Sequence, residues 1–217
     1  KNYAALYFKM DTITYEKERF LRSDLKGINE FESLKYKNGM LVIINFDKLR
    51  IFDSHVAYII DLINRYGSNY KVGISNSFSK IDNFHYCIRQ AISSFEISKV
   101  IDDMVVHYKD LNVYKILYPL KETYHIKDFY NEIFFPIKEY DDYYKADLIK
   151  TIEIYLENDG DFKKTANQLH QHENTIRYRI LKAKKLLDLE NNHLKFIEQI
   201  SIALKIDKIL NSKDKRL

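Results

Sequence analysis

The chain has 217 residues, of which 46% are hydrophobic, which is enough to build the buried cores of two domains. No apolar run approaches the roughly 18 residues of a membrane span, and the first residues lack a signal-peptide pattern, so we expect a soluble, cytoplasmic protein with no membrane partner. The single cysteine, Cys87, excludes an internal disulfide and is expected to be buried on a helix, and the net charge of +4 leaves the choice of partners open.

The first half of the chain alternates between strand and helix patterns. Asn38-Gly39, between two apolar runs, is a strong hairpin signal because both residues tolerate positive φ. The expected order is strand, helix, hairpin, helix, strand, helix, strand, an α/β layer with helices over one sheet. The predicted elements are strand 3–10, helix 15–31, hairpin strands 33–37 and 40–46, helix 53–66, strand 70–75, helix 81–100 and strand 104–108.

After Pro119 the pattern becomes wholly helical. The spacing predicts a helix over 124–135 that Pro136 ends, and a second helix over 143–157. Gly160 is expected to end that helix in a left-handed conformation, and Asp161 to cap the next one. A last helix is predicted over 192–210.

Between these helices, residues 165–180 read as two short helices that meet at a tight turn. Ala166 is small enough to let the helices cross closely, and Leu169, Ile176 and Ile180 supply apolar contacts at helical spacing. The second helix, around 173–185, then points polar and cationic groups away from that apolar seam. Such groups can hydrogen-bond to phosphates and base edges in a major groove.

Positive charge is concentrated in this region. From Asn158 onward the chain holds 13 Lys and Arg against 8 Asp and Glu, an excess of +5, whereas the residues before it hold 22 against 23. This asymmetry is typical of a nucleic-acid-binding module attached to a neutral partner, although a solvated lysine-rich surface gives the same count.

The C-terminal part resembles the helix-turn-helix domain of the PucR/CdaR family of bacterial transcription regulators. The resemblance follows, in order, residues 148–156 (LIKTIEIYL), Thr165-Ala166, Leu169, residues 172–180 and Ile202-Ala203-Leu204. It implies a DNA-binding domain over 143–217, preceded by a helical connector over 121–142.

Residues 1–120 are similar to the degenerate GGDEF-type domain that precedes this module in the same family. Val72-Gly73-Ile74-Ser75, followed by a helix carrying Ala91 and Phe95, carries the similarity. The overall expectation is an α+β fold, an α/β domain followed by an all-α domain. A true cyclase of this type needs an acidic hairpin to hold metal and nucleotide, and here the hairpin reads Lys37-Asn38-Gly39-Met40, so no cyclase activity is expected. The sequence also offers no nucleophile with a paired base, no Gly-rich phosphate loop and no carboxylate dyad, so we predict no catalytic residues, no enzyme activity and no cofactor.

The resemblance places seven residues at the DNA. Arg177 and Lys182 either contact phosphates or belong to a solvated face. Asn174 and Thr175 either contact DNA or stabilise the start of the helix. Tyr178 either stacks on a sugar or packs on the preceding helix. Glu173 and Gln171 both depart from the family pattern. The Glu173 carboxylate suits the positive end of the helix dipole, but it repels phosphate unless it accepts a hydrogen bond from a cytosine amino group. The predicted DNA-binding residues are His172, Glu173, Asn174, Thr175, Arg177, Tyr178 and Lys182.

Two further side chains are assigned structural roles. Arg179 faces partly inward and is expected to form a structural ion pair. His170 and His172 invite a metal interpretation, but no further ligands are evident in the sequence, so no metal site is predicted.

The sequence thus predicts a DNA-binding transcription regulator whose partner is double-stranded DNA. We expect a homodimer, because one recognition helix makes too few base contacts for useful specificity. The alternative is a ligand- or protein-binding module whose helix-turn-helix has lost specific DNA contact. Because the sequence begins at Lys1, we expect a fragment of a longer chain, in which a small-molecule effector acts through a sensor domain outside this sequence.

Overall fold

The computed structural model describes residues 2–11 and 13–212. Its residues group into two compact units, one within residues 2–115 and one spanning 116–211. The strands are β1 (Asn2–Met10), β2 (Phe31–Tyr36), β3 (Gly39–Phe46), β4 (Tyr70–Ile74) and β5 (Val105–His107). The helices are α1 (Tyr15–Lys26), α2 (Leu49–Tyr66), α3 (Phe84–Ile101), α4 (Tyr114–Leu117), α5 (Tyr124–Tyr144), α6 (Leu148–Glu157), α7 (Phe162–Leu169), α8 (Glu173–Leu186) and α9 (His193–Asn211), with short 3₁₀ turns at Ile81–Asn83 and Tyr108–Leu111.

The first unit is a five-stranded sheet with helices on both faces. The strand order is β2-β3-β1-β4-β5, antiparallel except for the parallel pair β4–β5. Because side chains alternate along β1, Leu6 and Phe8 face the core under α1 and α2, whereas Ala5 and Tyr7 face α3. The mixed α+β expectation is therefore confirmed, and the helices cover two faces of the sheet.

Gly73 sets the distance between β4 and α3. A Cβ atom built on Gly73 would fall inside the backbone of Ala91 and Phe95, far closer than van der Waals contact. Ser94 reinforces the same junction by donating a hydrogen bond from Oγ to the Ile74 carbonyl at 3.2 Å. The α3 helix therefore rests directly on the backbone of the sheet, and only glycine fits at position 73.

Several boundaries differ from the predicted ones in this unit, among them the start of α2, the hairpin turn and the end of α1. The hairpin turn is Lys37-Asn38, since Tyr36 pairs with Gly39, and the residue with positive φ is Lys37 at 51°. The turn prediction at Asn38-Gly39 is wrong by one residue because the register keeps Met40 in the buried face of β3. Helix α1 ends at Lys26 instead of Phe31, since Phe31 opens β2 in the core.

Helix α5 runs through Pro136, where the sequence predicted an end. Proline removes one backbone hydrogen bond, but Ile133, Phe134 and Ile137 on both sides of it are buried, and this packing outweighs the local cost. The predicted helix over 143–157 is also wrong at its start, because the chain turns between Tyr144 and Leu148. Lys145 and Asp147 take left-handed conformations there, with φ of 50° and 55°.

Asp141 holds the two helices on either side of this turn together. Its carboxylate accepts hydrogen bonds from the backbone N–H groups of Leu148 at 2.7 Å and Ile149 at 2.8 Å. A side chain of α5 therefore caps the start of α6, which fixes where α6 begins. Over the described part of the chain, no helix combines the length and apolar character needed to cross a bilayer.

Candidate nucleic-acid interface

Helix α7 begins at the predicted cap. Gly160 has φ of 80°, and the Asp161 carboxylate accepts from the backbone N–H of Lys164 at 2.9 Å. That hydrogen bond holds the pKa of the Asp161 carboxyl below its usual range. The sequence prediction of a left-handed Gly160 and a capping Asp161 is confirmed.

The turn between α7 and α8 is three residues long. His170 is left-handed, with φ of 53°, and Gln171 donates its backbone N–H to the Ala166 carbonyl at 2.9 Å, which closes the end of α7. His172 then caps α8, its Nδ1 accepting from the backbone N–H of Asn174 at 3.2 Å. The described residues contain no group of three or more His, Cys, Asp or Glu side chains arranged to hold a metal ion.

An apolar seam locks α7 against α8. Ala166, Ile176 and Ile180 are buried and Leu169 packs against the same core. This core also includes Ile152 and Tyr155 of α6 and side chains from α5 and α9. The seam predicted from helical spacing is confirmed, and it fixes α8 so that the opposite face of α8 is exposed.

Residues 148–206 match the family model described as the PucR C-terminal helix-turn-helix domain. The chain carries a PucR-type helix-turn-helix domain, the DNA-binding domain of transcription regulators. In the structure the matched residues run from the start of α6 to the middle of α9. The match covers both short helices and the turn between them.

Two relatives from Bacillus subtilis (strain 168) are similar over more than half of this chain. The proline-responsive transcriptional activator PutR is 26% identical over 122 residues, which is 55% of this chain and 30% of that protein. The DNA-binding transcriptional activator AdeR is 25% identical over 138 residues, which is 61% of this chain and 32% of that protein. The similar region therefore spans about a third of the length of these relatives.

One solved structure aligns with most of the chain. It is a regulator of polyketide synthase expression from Bifidobacterium adolescentis, 13% identical, with a TM-score of 0.42 over 97% of this chain and 81% of that one. At this score the likeness is too distant to establish the fold.

The Glu173 side chain of the PucR-type helix-turn-helix is paired with Arg177. The carboxylate accepts from Arg177 Nη2 at 2.5 Å and from Nε at 3.0 Å, one turn further along α8. The Arg177 guanidinium carbon also lies 4.3 Å from the centre of the Phe162 ring at the start of α7. Arg177 is therefore held by two partners within the motif.

An exposed stripe runs along the opposite side of α8 from the apolar seam. We define it as Asn174, Tyr178, Leu181 and Lys185, whose spacing of three or four residues places them on one face. All four side chains are exposed, and Tyr178 is 63% accessible. Thr175 and Lys182 lie at the edge of this stripe and are half-buried.

Arg179 points the other way, into the helical unit. Its guanidinium donates to Thr151 Oγ1 at 3.0 Å and pairs with Asp147 Oδ2 at 3.3 Å. The side chain is only 16% exposed, and Thr151 is fully buried. The predicted structural ion pair is confirmed, and Arg179 fastens α8 to the start of α6.

The sequence analysis did not select Leu181 and Lys185, although both belong to the exposed stripe. Their spacing from Asn174, at seven and eleven residues, was the signal that would have identified them. It also did not select Lys163 and Lys164, which are exposed at the start of α7. The lysines extend the positive surface beyond the seven predicted residues.

Proposed function

We propose that this chain is the DNA-binding part of a transcription regulator and that α8 enters the major groove. The observation that carries the proposal is the exposed stripe, since the apolar seam fixes α8 while the side chains on its opposite face are exposed. Asn174 offers an amide for a base edge, and Lys185 offers a charge for a phosphate. Of the residues predicted from sequence, His172 caps α8, Tyr178 belongs to the exposed stripe, and Thr175 and Lys182 lie at its edge.

The proposal includes a homodimer on double-stranded DNA. Two copies would present paired α8 helices to half-sites about 34 Å apart, one helical turn of DNA. The α/β unit is proposed to be a degenerate GGDEF-like domain that serves dimerisation or signalling, which the observed order of strands and helices supports. We further propose that the chain acts in the cytoplasm without catalysis and that a small-molecule effector acts through a sensor domain outside residues 1–217.

Selection of binding sites from random-sequence duplex DNA tests this function. The unaltered 217-residue chain should enrich an inverted repeat with half-sites about 10 base pairs apart, and its affinity should fall steeply with salt. Recovery of unenriched DNA would instead favour a ligand- or protein-binding module. The Glu173–Arg177 ion pair is the observation that supports this alternative, because it occupies an arginine that could otherwise contact phosphate.

Replacing Glu173 with glutamine should strengthen DNA binding. The change removes a negative charge near phosphate and frees Arg177 from its ion pair, so one more phosphate is neutralised. We expect a gain on the order of 10-fold at low salt, and the slope of log affinity against log salt should steepen by about 0.9 for each copy of the chain in the complex. Fluorescence anisotropy with a labelled duplex at several salt concentrations measures both quantities.

Glu190→Gln is the matched control, because Glu190 is also exposed and lies beyond the end of α8. It changes the net charge by the same amount and should leave the slope nearly unchanged. An equal gain in both variants would mean that Arg177 remains on Phe162 and makes no contact with DNA.

A further inference from the structure

Three tyrosines at the end of α5 and one on α8 form a continuous aromatic group. We call Tyr140, Tyr143, Tyr144 and Tyr178 the tyrosine cluster. The ring centres of Tyr140 and Tyr144 are 4.4 Å apart, and those of Tyr143 and Tyr144 are 4.6 Å apart. Tyr140 and Tyr178 are close enough to interact electrostatically, so the cluster reaches the exposed stripe of α8.

Most of this aromatic surface is open to solvent. Tyr144 is 61% exposed and Tyr143 is 79% exposed, although each ring carries a large apolar area. Only Tyr140 is half-buried, because it packs into the helical core. A group of neighbouring exposed rings is more typical of a binding surface than of a surface that contacts only water.

Two lysines lie beside the part of the cluster that faces α8. Lys182 Nζ lies 4.5 Å from the centre of the Tyr140 ring, and Lys145 is exposed directly after Tyr144. The nearby carboxylate of Asp141 is occupied by the backbone N–H groups at the start of α6, and that of Asp147 by Arg179. Glu139 and Asp142 line a surface pocket with Tyr143, so the positive side of the cluster is the one formed by Tyr140, Tyr144 and Lys145.

These features fit the sugar–phosphate backbone of DNA. Tyrosine hydroxyls and lysines are common donors to phosphate oxygens, and a tyrosine ring can lie against deoxyribose. Tyr178 belongs to both the cluster and the exposed stripe, so a duplex that receives α8 in its groove brings its backbone to this side of the motif. Tyr140, Tyr143, Tyr144 and Lys145 precede residue 148, where the matched helix-turn-helix domain begins.

We propose that the tyrosine cluster and Lys145 bind the DNA backbone beside the groove that α8 enters, so that the end of α5 is a second wall of the interface. This inference rests on the proposed function. It predicts a DNA footprint longer than the helix-turn-helix alone would give, with the added contacts independent of sequence.

The test compares two double variants of the 217-residue chain on a duplex recovered by selection with the unaltered protein. Tyr144→Ala/Lys145→Gln should bind about 10-fold more weakly, lower the salt slope by about 0.9 for each copy of the chain in the complex and abolish ethylation interference at the flanking phosphates. Its base preference should stay unchanged. Tyr124→Ala/Lys127→Gln, which changes an exposed tyrosine and an exposed lysine near the start of α5, should match the unaltered protein.

Tyr144→Phe guards against a folding effect, because it keeps the ring and removes only the hydroxyl donor. It should weaken binding by about 3-fold, as expected for one lost phosphate contact, with an unchanged circular dichroism spectrum. Equal affinity and an equal footprint in the Tyr144 variants and the unaltered chain would overturn the inference while leaving the proposed function standing. Loss of self-association in place of phosphate contacts, measured by sedimentation, would also overturn it and assign the cluster to a second copy. Failure of the unaltered chain to bind any selected duplex would overturn the proposed function itself.

Discussion

Replacing Gly73 with alanine should destabilise the α/β unit by about 3 kcal/mol or more, because the added methyl group meets backbone atoms that have no alternative rotamer. The Ala91 carbonyl and the Phe95 amide occupy the space that the Cβ requires. The α3 helix would have to move away from β4, and that movement would open the core that Ala5, Tyr7 and Phe95 share. Few single substitutions of such small size have an expected effect this large.

Urea unfolding followed by far-ultraviolet circular dichroism measures the loss, and hydrogen exchange assigns it to a unit. Peptides from residues 70–100 should lose protection, whereas those from residues 148–206 should keep it. Gly27→Ala is the control, since Gly27 has an ordinary helical φ of −66° and an added Cβ would make only normal contacts there. The control should change the free energy of unfolding by less than about 1 kcal/mol. A Gly73→Ala protein as stable as the control would mean that α3 does not rest on the sheet as closely as described.

Local sequence patterns predicted the α/β unit well because its elements are short and strongly patterned. The alternation in β1 and the apolar spacing in α3 each follow from which side chains are buried, so the order of elements could be read from the sequence. The turn at Lys37-Asn38 could not, because the pairing register of β2 with β3 is set by both faces of the sheet. The predicted helix end at Pro136 was wrong for a related reason. A proline ends a helix only when neighbouring side chains do not stabilise the continuation of that helix.

The candidate interface was predictable in its framework and less so in its details. Ala166, Ile176 and Ile180 follow helical spacing, and Asp161 follows capping chemistry, so the seam and the start of α7 could be predicted. The contact of Arg177 with Phe162 depends on how α7 and α8 are packed, which local sequence does not specify. The same holds for the tyrosine cluster, because Tyr144 on α5 and Tyr178 on α8 are 34 residues apart in sequence.

Two variants of the exposed stripe should separate base reading from phosphate binding. Asn174→Ala removes an amide that can bond adenine in the major groove, so it should reduce the affinity for the selected duplex by about 5- to 150-fold, equivalent to about 1–3 kcal/mol. Binding to a scrambled duplex and the salt slope should stay unchanged, because no charge is lost. The fold should also survive, since the backbone N–H of Asn174 still donates to His172 and alanine suits the first turn of a helix.

Lys185→Gln should show the opposite pattern because it removes a charge and no base contact. The affinities for the selected and scrambled duplexes should fall by the same factor, and the salt slope should decrease by about 0.9 for each Lys185 in the complex. Anisotropy titrations of both duplexes at four or more salt concentrations measure the two effects together, with Lys195→Gln on α9 as the exposed-lysine control. If Asn174→Ala lowered the affinities for both duplexes equally, Asn174 would not read a base, and specificity would have to come from another member of the stripe or from the shape of the DNA.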